Sequence, residues 1–212
     1  MRCRRGVEYF DPGEGSEMRA IRLAGPCMAI LGVVVLAPAA WSQQKPAGPP
    51  PAPTLASAMN AELGTVEWEV VGAAEAMPEE KYAFVPSAGE FKGVRTFGEQ
   101  VRHIAAANFM FVSLMNGEKV DLAGAEHGPA DIKTKAQIVQ YLKDSFAAAH
   151  KAIGTLTAEN ALTLLPNAPF PIFNTRLGVA SFTSAHCMDH YGQMVVSLRM
   201  NGIIPPASRP RN

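Results

Sequence analysis

The chain has 212 residues, 48% of them apolar, and its 19 basic residues balance 19 acidic ones. Zero formal charge excludes the basic excess on which nucleic-acid binders depend, and the apolar share excludes wholesale disorder. Three cysteines, none in a C-x-x-C pair, are too few for a disulfide scaffold or a cysteine zinc site.

The first quarter of the chain reads as a leader. Residues 27–37, CMAILGVVVLA, carry no charge; Arg19 and Arg22 precede them, and small residues around Ala40 and Ser42 follow. A basic region, an apolar run and then small residues is the order of a secretory signal peptide, with cleavage expected before Gln43. Eleven apolar residues are too few to span a bilayer, which needs about 20; an uncleaved membrane anchor is the alternative reading. Cys27 precedes the apolar run, against a lipoprotein signal. Glu8, Asp11, Glu14 and Glu17 are foreign to such a leader, so translation is expected to start at Met18.

Residues 43–54 are proline-dense, with five prolines in 45–54. They favour extended polyproline II and read as a spacer, with an SH3-type peptide ligand as the alternative. Residues 43–212 hold 14 basic and 15 acidic residues, a net charge of −1, and a single cysteine, Cys187. An exported chain with one cysteine has no internal disulfide, so packing must hold the fold.

From residue 55 onward, apolar residues recur at spacings of three and four, the helical period. The first predicted helix runs from Leu55 to about Met77, with Leu63, Val66 and Val70 in its stripe. The second opens at a capping box formed by Thr96 and Glu99, carries Val101, Ile104, Asn108 and Phe111 on one face, and stops at Asn116-Gly117. The segment 117–133, rich in glycine, reads as a loose loop. A second capping box, Thr134 with Gln137, opens a third helix that continues through Leu142 and Phe146 to Ile153. The fourth begins at Asn174 or Thr175 and ends at Met200, before Asn201-Gly202. Four helices of about 20 residues make an all-α, antiparallel four-helix bundle over 55–208.

The chemistry lies in the histidines. On a helix, His186 and His190 differ by about 40° in azimuth and about 6 Å in height, so one metal ion can bridge them. Imidazole suits zinc, nickel, iron or copper. Cys187 occupies the glutamate position of the zinc-protease helix H-E-x-x-H, which excludes that enzyme class. Glu99 stands four residues before His103, not the three of the di-iron signature. His103 is a core residue, a surface residue or a ligand; its azimuth departs from the Val101/Ile104 stripe. His127 reads as solvated, His150 as complementing a helix C-terminus, and Cys187 as a small core residue or a fourth ligand.

The segments TFGEQVRHIAAANF (96–109), SFTSAHCMDHYGQMVVSLRMNGIIPP (181–206) and AMPEEKYAFVP (76–86) resemble the DinB superfamily. That resemblance covers about 55–208 and implies a small, often stress-associated four-helix bundle. In the family, one histidine of the second helix and an H-x-x-x-H pair of the fourth bind a divalent metal. The matching positions are His103, His186 and His190, all filled. Enzymes of the family transfer or isomerise low-molecular-weight thiols, so the resemblance implies a metal-dependent thiol transferase or a related hydrolase or isomerase. A non-catalytic metal-binding stress protein and a purely structural bundle remain the alternatives. The expected partners are the metal ion and a small-molecule thiol, with no nucleic acid, the membrane only during export, and homodimerisation open to such a bundle. The leader places the mature chain in the periplasm or outside the cell.

Overall fold

A computed structural model describes residues 52–169, 171 and 174–210 of the chain. The expectations for the leader, its cleavage point and most of the spacer fall on residues outside these.

Five α-helices are present among the described residues: α1 (Leu55–Ala76), α2 (Phe97–Met115), α3 (Leu122–His127), α4 (Lys135–Ile153) and α5 (Arg176–Met200). No described helix is long and apolar enough to cross a membrane. The four long ones are the predicted helices, and their starts are set by local hydrogen bonding. Both capping boxes read from the sequence form, at Thr96/Glu99 and Thr134/Gln137. Thr175 accepts from the Gly178 amide at 3.0 Å to open α5. A third box, Thr54 with Ser57, opens α1 with a serine in the place usually taken by Glu or Gln. The short α3 corrects the expectation of a loose loop over 117–133. Its stop was visible in the sequence: Gly128 follows it with φ 66°, a conformation that glycine adopts without strain.

Within the bundle, α1 packs against α4 and α5, and α2 also packs against α4 and α5. Inter-helix pairs fix the directions. Asn60 and Glu67 of α1 meet His150 near the end of α4, while Glu75 meets Lys143 and Lys135 nearer its start, so these two helices are antiparallel. Gln100 of α2 meets His190 of α5, and the Met115 carbonyl accepts from Arg176, which makes α2 and α5 antiparallel as well. Arg102 reaches the Ile132 carbonyl just before α4, and Phe109 stacks on Tyr141, so α2 and α4 run the same way. The long 116–134 connection makes this possible, because it carries the chain back along the bundle before α4 begins.

The core lies between the four long helices and is filled by side chains such as Leu63, Val70, Ile104, Phe146, Met194 and Leu198, all essentially inaccessible. Each contributes roughly 1.5–3 kcal/mol on burial, and this packing does the work that disulfides do elsewhere. One polar chain crosses it. The Cys187 thiol donates to Asn108 Oδ1 at 3.3 Å, Asn108 Nδ2 donates to Ser145 Oγ at 3.2 Å, and that hydroxyl donates to the Leu142 carbonyl at 2.7 Å. The chain of bonds joins α5, α2 and α4 at one level and fixes their register.

Candidate metal centre

Helix α2 is held at its start by the segment 79–86. The Gly98 amide donates to the Tyr82 carbonyl at 2.8 Å and the Phe97 amide to the Phe84 carbonyl at 3.0 Å, so two of the unpaired N–H groups of the helix terminus are satisfied. The Tyr82 hydroxyl in turn donates to the Ala74 carbonyl at 2.7 Å. A Cβ on Gly98 would lie 2.9 Å from the Tyr82 ring and 3.2 Å from its carbonyl, so this contact requires glycine. The docking sets the position of α2 just over one turn before His103.

His103, His186 and His190 converge. Each offers one ring nitrogen, and the three nitrogens lie within 4.8 Å of one another. His186 Nε2 and His190 Nε2 are 3.2 Å apart. Two nitrogens bound to one tetrahedral ion at 2.0–2.1 Å stand about 3.3 Å apart, so this pair has the separation a metal needs. His103 packs edge-on to both partners, with ring centroids 5.2 and 4.9 Å away. Its Nδ1 lies 3.0 Å from the carbonyls of both Ala125 and Glu126, and it donates its proton there. These are C-terminal carbonyls of α3, left without helical partners. The tautomer is thereby set, leaving the Nε2 lone pair of His103 free to bind.

The other two rings are held differently. The Gln100 side-chain amide lies 3.2 Å from His190 Nδ1 and donates to the His190 carbonyl at 3.2 Å and to Gln193 Oε1 at 3.1 Å. His186 stands against Phe111 and Phe182, and its Nδ1 is buried without a hydrogen-bond partner. A ring kept in such surroundings has its polar contact at Nε2, which faces His190.

All three imidazoles are held neutral, the form that ligates metals. Burial, then the closeness of the His190 and His103 rings and of the Arg95 charge, each of which disfavours a proton there, pushes His186 down to about 3. Burial, then His103, lowers His190 to about 4 against the opposing pull of Asp189. Burial and Arg95 also lower His103. In the unfolded chain these rings titrate near pH 6.5, at about the ordinary histidine value. Below that pH the unfolded chain takes up protons that the folded one refuses, so stability falls with acidity. The metal-free protein is therefore expected to lose stability progressively between pH 6.5 and about pH 3; urea midpoints measured across this range would check it, and a flat profile would contradict it.

The remaining sequence candidates fall elsewhere. Cys187 is fully buried, its thiol pushed up to about 12 chiefly by that burial, and it bonds Asn108 outside the histidine group. It is a core residue, as one of its two readings had it. His150 bridges α4 to Asn60 at 2.8 Å and Glu67 at 3.1 Å on α1. His127 is exposed at the end of α3.

A cleft of about 730 Å³ adjoins the cluster, sharing Gln100, Gln193 and Glu126 with its surroundings. Phe91 and Val94 line one part of it, Arg95 and Arg102 another. Gln100, Arg95, Glu126 and the whole of α3 escaped the sequence reading. Gln100 lies one turn before His103, on a predicted helix, and that spacing was its only signal.

The family model of the DinB superfamily matches residues 63–194, well over half the chain and all three histidines. This chain belongs to the DinB superfamily. No curated protein matches it. Membership agrees with the helical bundle, and the three-histidine cluster is compatible with metal binding.

Proposed function

We propose that this DinB-superfamily chain is an exported protein that holds one divalent metal ion (zinc, nickel or iron) through His103, His186 and His190 and acts on small-molecule thiols. The observation that carries the proposal is the convergence of three neutral imidazoles, from the two helices α2 and α5 that are far apart in the sequence, within 4.8 Å. Three protein ligands leave a position for water or substrate, whereas a closed structural site fills four. A metal ion so bound supplies Lewis acidity, which lowers the pKa of a thiol or water beside it.

The chain's own residues prepare that site. The α3 carbonyls orient His103, and Phe111 and Phe182 shield His186 from water. A ring that binds through Nε2 carries its proton on Nδ1. For His190, the Gln100 side chain stands 3.2 Å from that nitrogen and is itself anchored to the His190 carbonyl and to Gln193. The cleft beside Gln100 and Gln193 admits a small ligand.

One observation favours the alternative, metal binding without catalysis. The carboxylates near the rings are engaged: Glu126 pairs with Arg95, and Asp189 accepts from Gln193 at 3.4 Å. Neither stands free as a general base. Metal analysis of the purified mature protein, followed by turnover assays with a panel of thiols and electrophiles, separates the readings. About one metal per chain with thiol turnover is expected; metal without turnover leaves the alternative, and a metal-free protein sinks both. The leader pattern supports export to the periplasm or beyond, and a mature N-terminus at Gln43 is expected when the native protein is sequenced.

A further inference from the structure

The six residues of α3 are too few to stand alone as a helix in water, where about 12–15 are needed. Packing adds little to hold it. Only Ala125 is buried, Leu122 is half-exposed, and the Asp121 side chain makes no cap hydrogen bond at the N-terminus. What fixes α3 lies at its other end. His103 Nδ1 donates to the Ala125 and Glu126 carbonyls, each 3.0 Å away, and Arg95 pairs with the Glu126 side chain.

Gly128 permits this docking. Its amide closes α3 on the Gly124 carbonyl at 2.8 Å, and it turns the chain away with φ 66°. It also lies against Arg102, the residue before His103. A Cβ at this position would stand 2.8 Å from Arg102 Cγ and 3.3 Å from the Arg102 carbonyl oxygen. A side chain at 128 therefore pushes the end of α3 away from α2, and the two carbonyls away from His103. Beyond Gly128 the chain is tied down again, where Arg102 donates to the Ile132 carbonyl at 3.1 Å.

The two nitrogens of His103 have separate tasks. A neutral imidazole carries one proton, so a ring that gives its Nε2 lone pair to an ion keeps that proton on Nδ1. That is the tautomer the α3 carbonyls accept from. The opposite tautomer would set a lone pair against two carbonyl oxygens and leave none for an ion. Docking of α3 and occupancy of the cluster thus select the same form of His103, and each must favour the other by the same factor.

We propose that α3 is the positioning element of the metal centre and Gly128 the residue that lets it reach His103, so that an ion at the cluster and the docking of α3 stabilise one another. This coupling rests on the metal-site reading above and adds to it two parts of the chain that touch no ion. Because α3 also borders the cleft through Glu126 and His127, an empty cluster loosens one of the cleft's walls.

The test compares purified protein with and without zinc by hydrogen exchange of the amides of residues 122–128. Saturating zinc should slow their exchange by about 10–100-fold, the range over which hydrogen-bond partners of ligand rings alter metal affinity. By the same linkage, Gly128→Ala should weaken zinc binding by about 10–100-fold in calorimetry. Gly117→Ala is the control. It too has a positive φ, 77°, so the backbone strain is alike, but nothing lies within 4 Å of its Cβ, and zinc affinity should stay at the wild-type value. Nitrogen-edited NMR of the zinc-loaded protein should show a solvent-protected proton on His103 Nδ1, lost in Gly128→Ala. Zinc binding with α3 exchange unchanged, wild-type affinity in Gly128→Ala, or an equal loss in both glycine variants would overturn the inference and leave the metal site standing. A protein that takes up no zinc would overturn the metal reading itself, and this inference with it.

Discussion

His186→Ala is expected to abolish stoichiometric metal binding. Removing one ligand of three leaves two imidazoles that cannot hold the ion alone. Structural zinc sites with four ligands yield about 10–16 kcal/mol, so one ligand is worth roughly 3 kcal/mol and its loss at least a hundredfold in affinity. The loss should be readable as stability too. Metal at a hundredfold excess over its dissociation constant stabilises a native state by about 2.7 kcal/mol, or roughly 5–10 °C for a domain of this size. Added zinc should therefore raise the melting temperature of the wild type but not of His186→Ala, His190→Ala or His103→Ala. Cys187→Ala is the informative control: its sulfur bonds Asn108, not the cluster, so metal binding should survive. Wild-type affinity in any of the three histidine variants would contradict the site.

The largest effect on the metal-free fold is expected from Asn108→Ala. Asn108 is completely buried and bonded on both sides, to Cys187 and to Ser145. Alanine removes the acceptor for the thiol and the donor to the hydroxyl, and it leaves a cavity where three helices meet. Unpaired buried groups and a cavity together cost about 3 kcal/mol, which corresponds to roughly 6–12 °C in melting temperature. Thermal unfolding followed by circular dichroism would check this, and a shift under about 2 °C would show that the polar chain contributes little. The three clustered histidines are untouched, so the zinc affinity expected of the folded variant is close to that of the wild type.

Asn108 also shows how the sequence could be read correctly and still fall short. It stands on the stripe with Ile104 and Phe111, so its burial followed from helical periodicity. Its partners did not, because Ser145 and Cys187 belong to other helices. His103 posed the reverse difficulty. Its azimuth departs from the apolar stripe, and nothing within α2 distinguishes a ligand from a surface histidine. Family resemblance singled it out, and the fold brings it to the other two. The spacing of His186 and His190, by contrast, is a property of one helix and could be read directly.

The sequence by itself determined the four long helices, because 3.6-residue periodicity and the boxes at Thr96 and Thr134 depend only on residues a turn apart. It also determined the family and the His186/His190 pair. Tertiary structure alone decided which helices adjoin, that α2 and α4 run the same way, and that α3 turns its last carbonyls onto His103. It alone placed Gln100 against His190 and Arg95 within reach of the cluster. Those contacts join residues far apart in the chain, and their geometry is set by how apolar faces interlock, which no local pattern encodes.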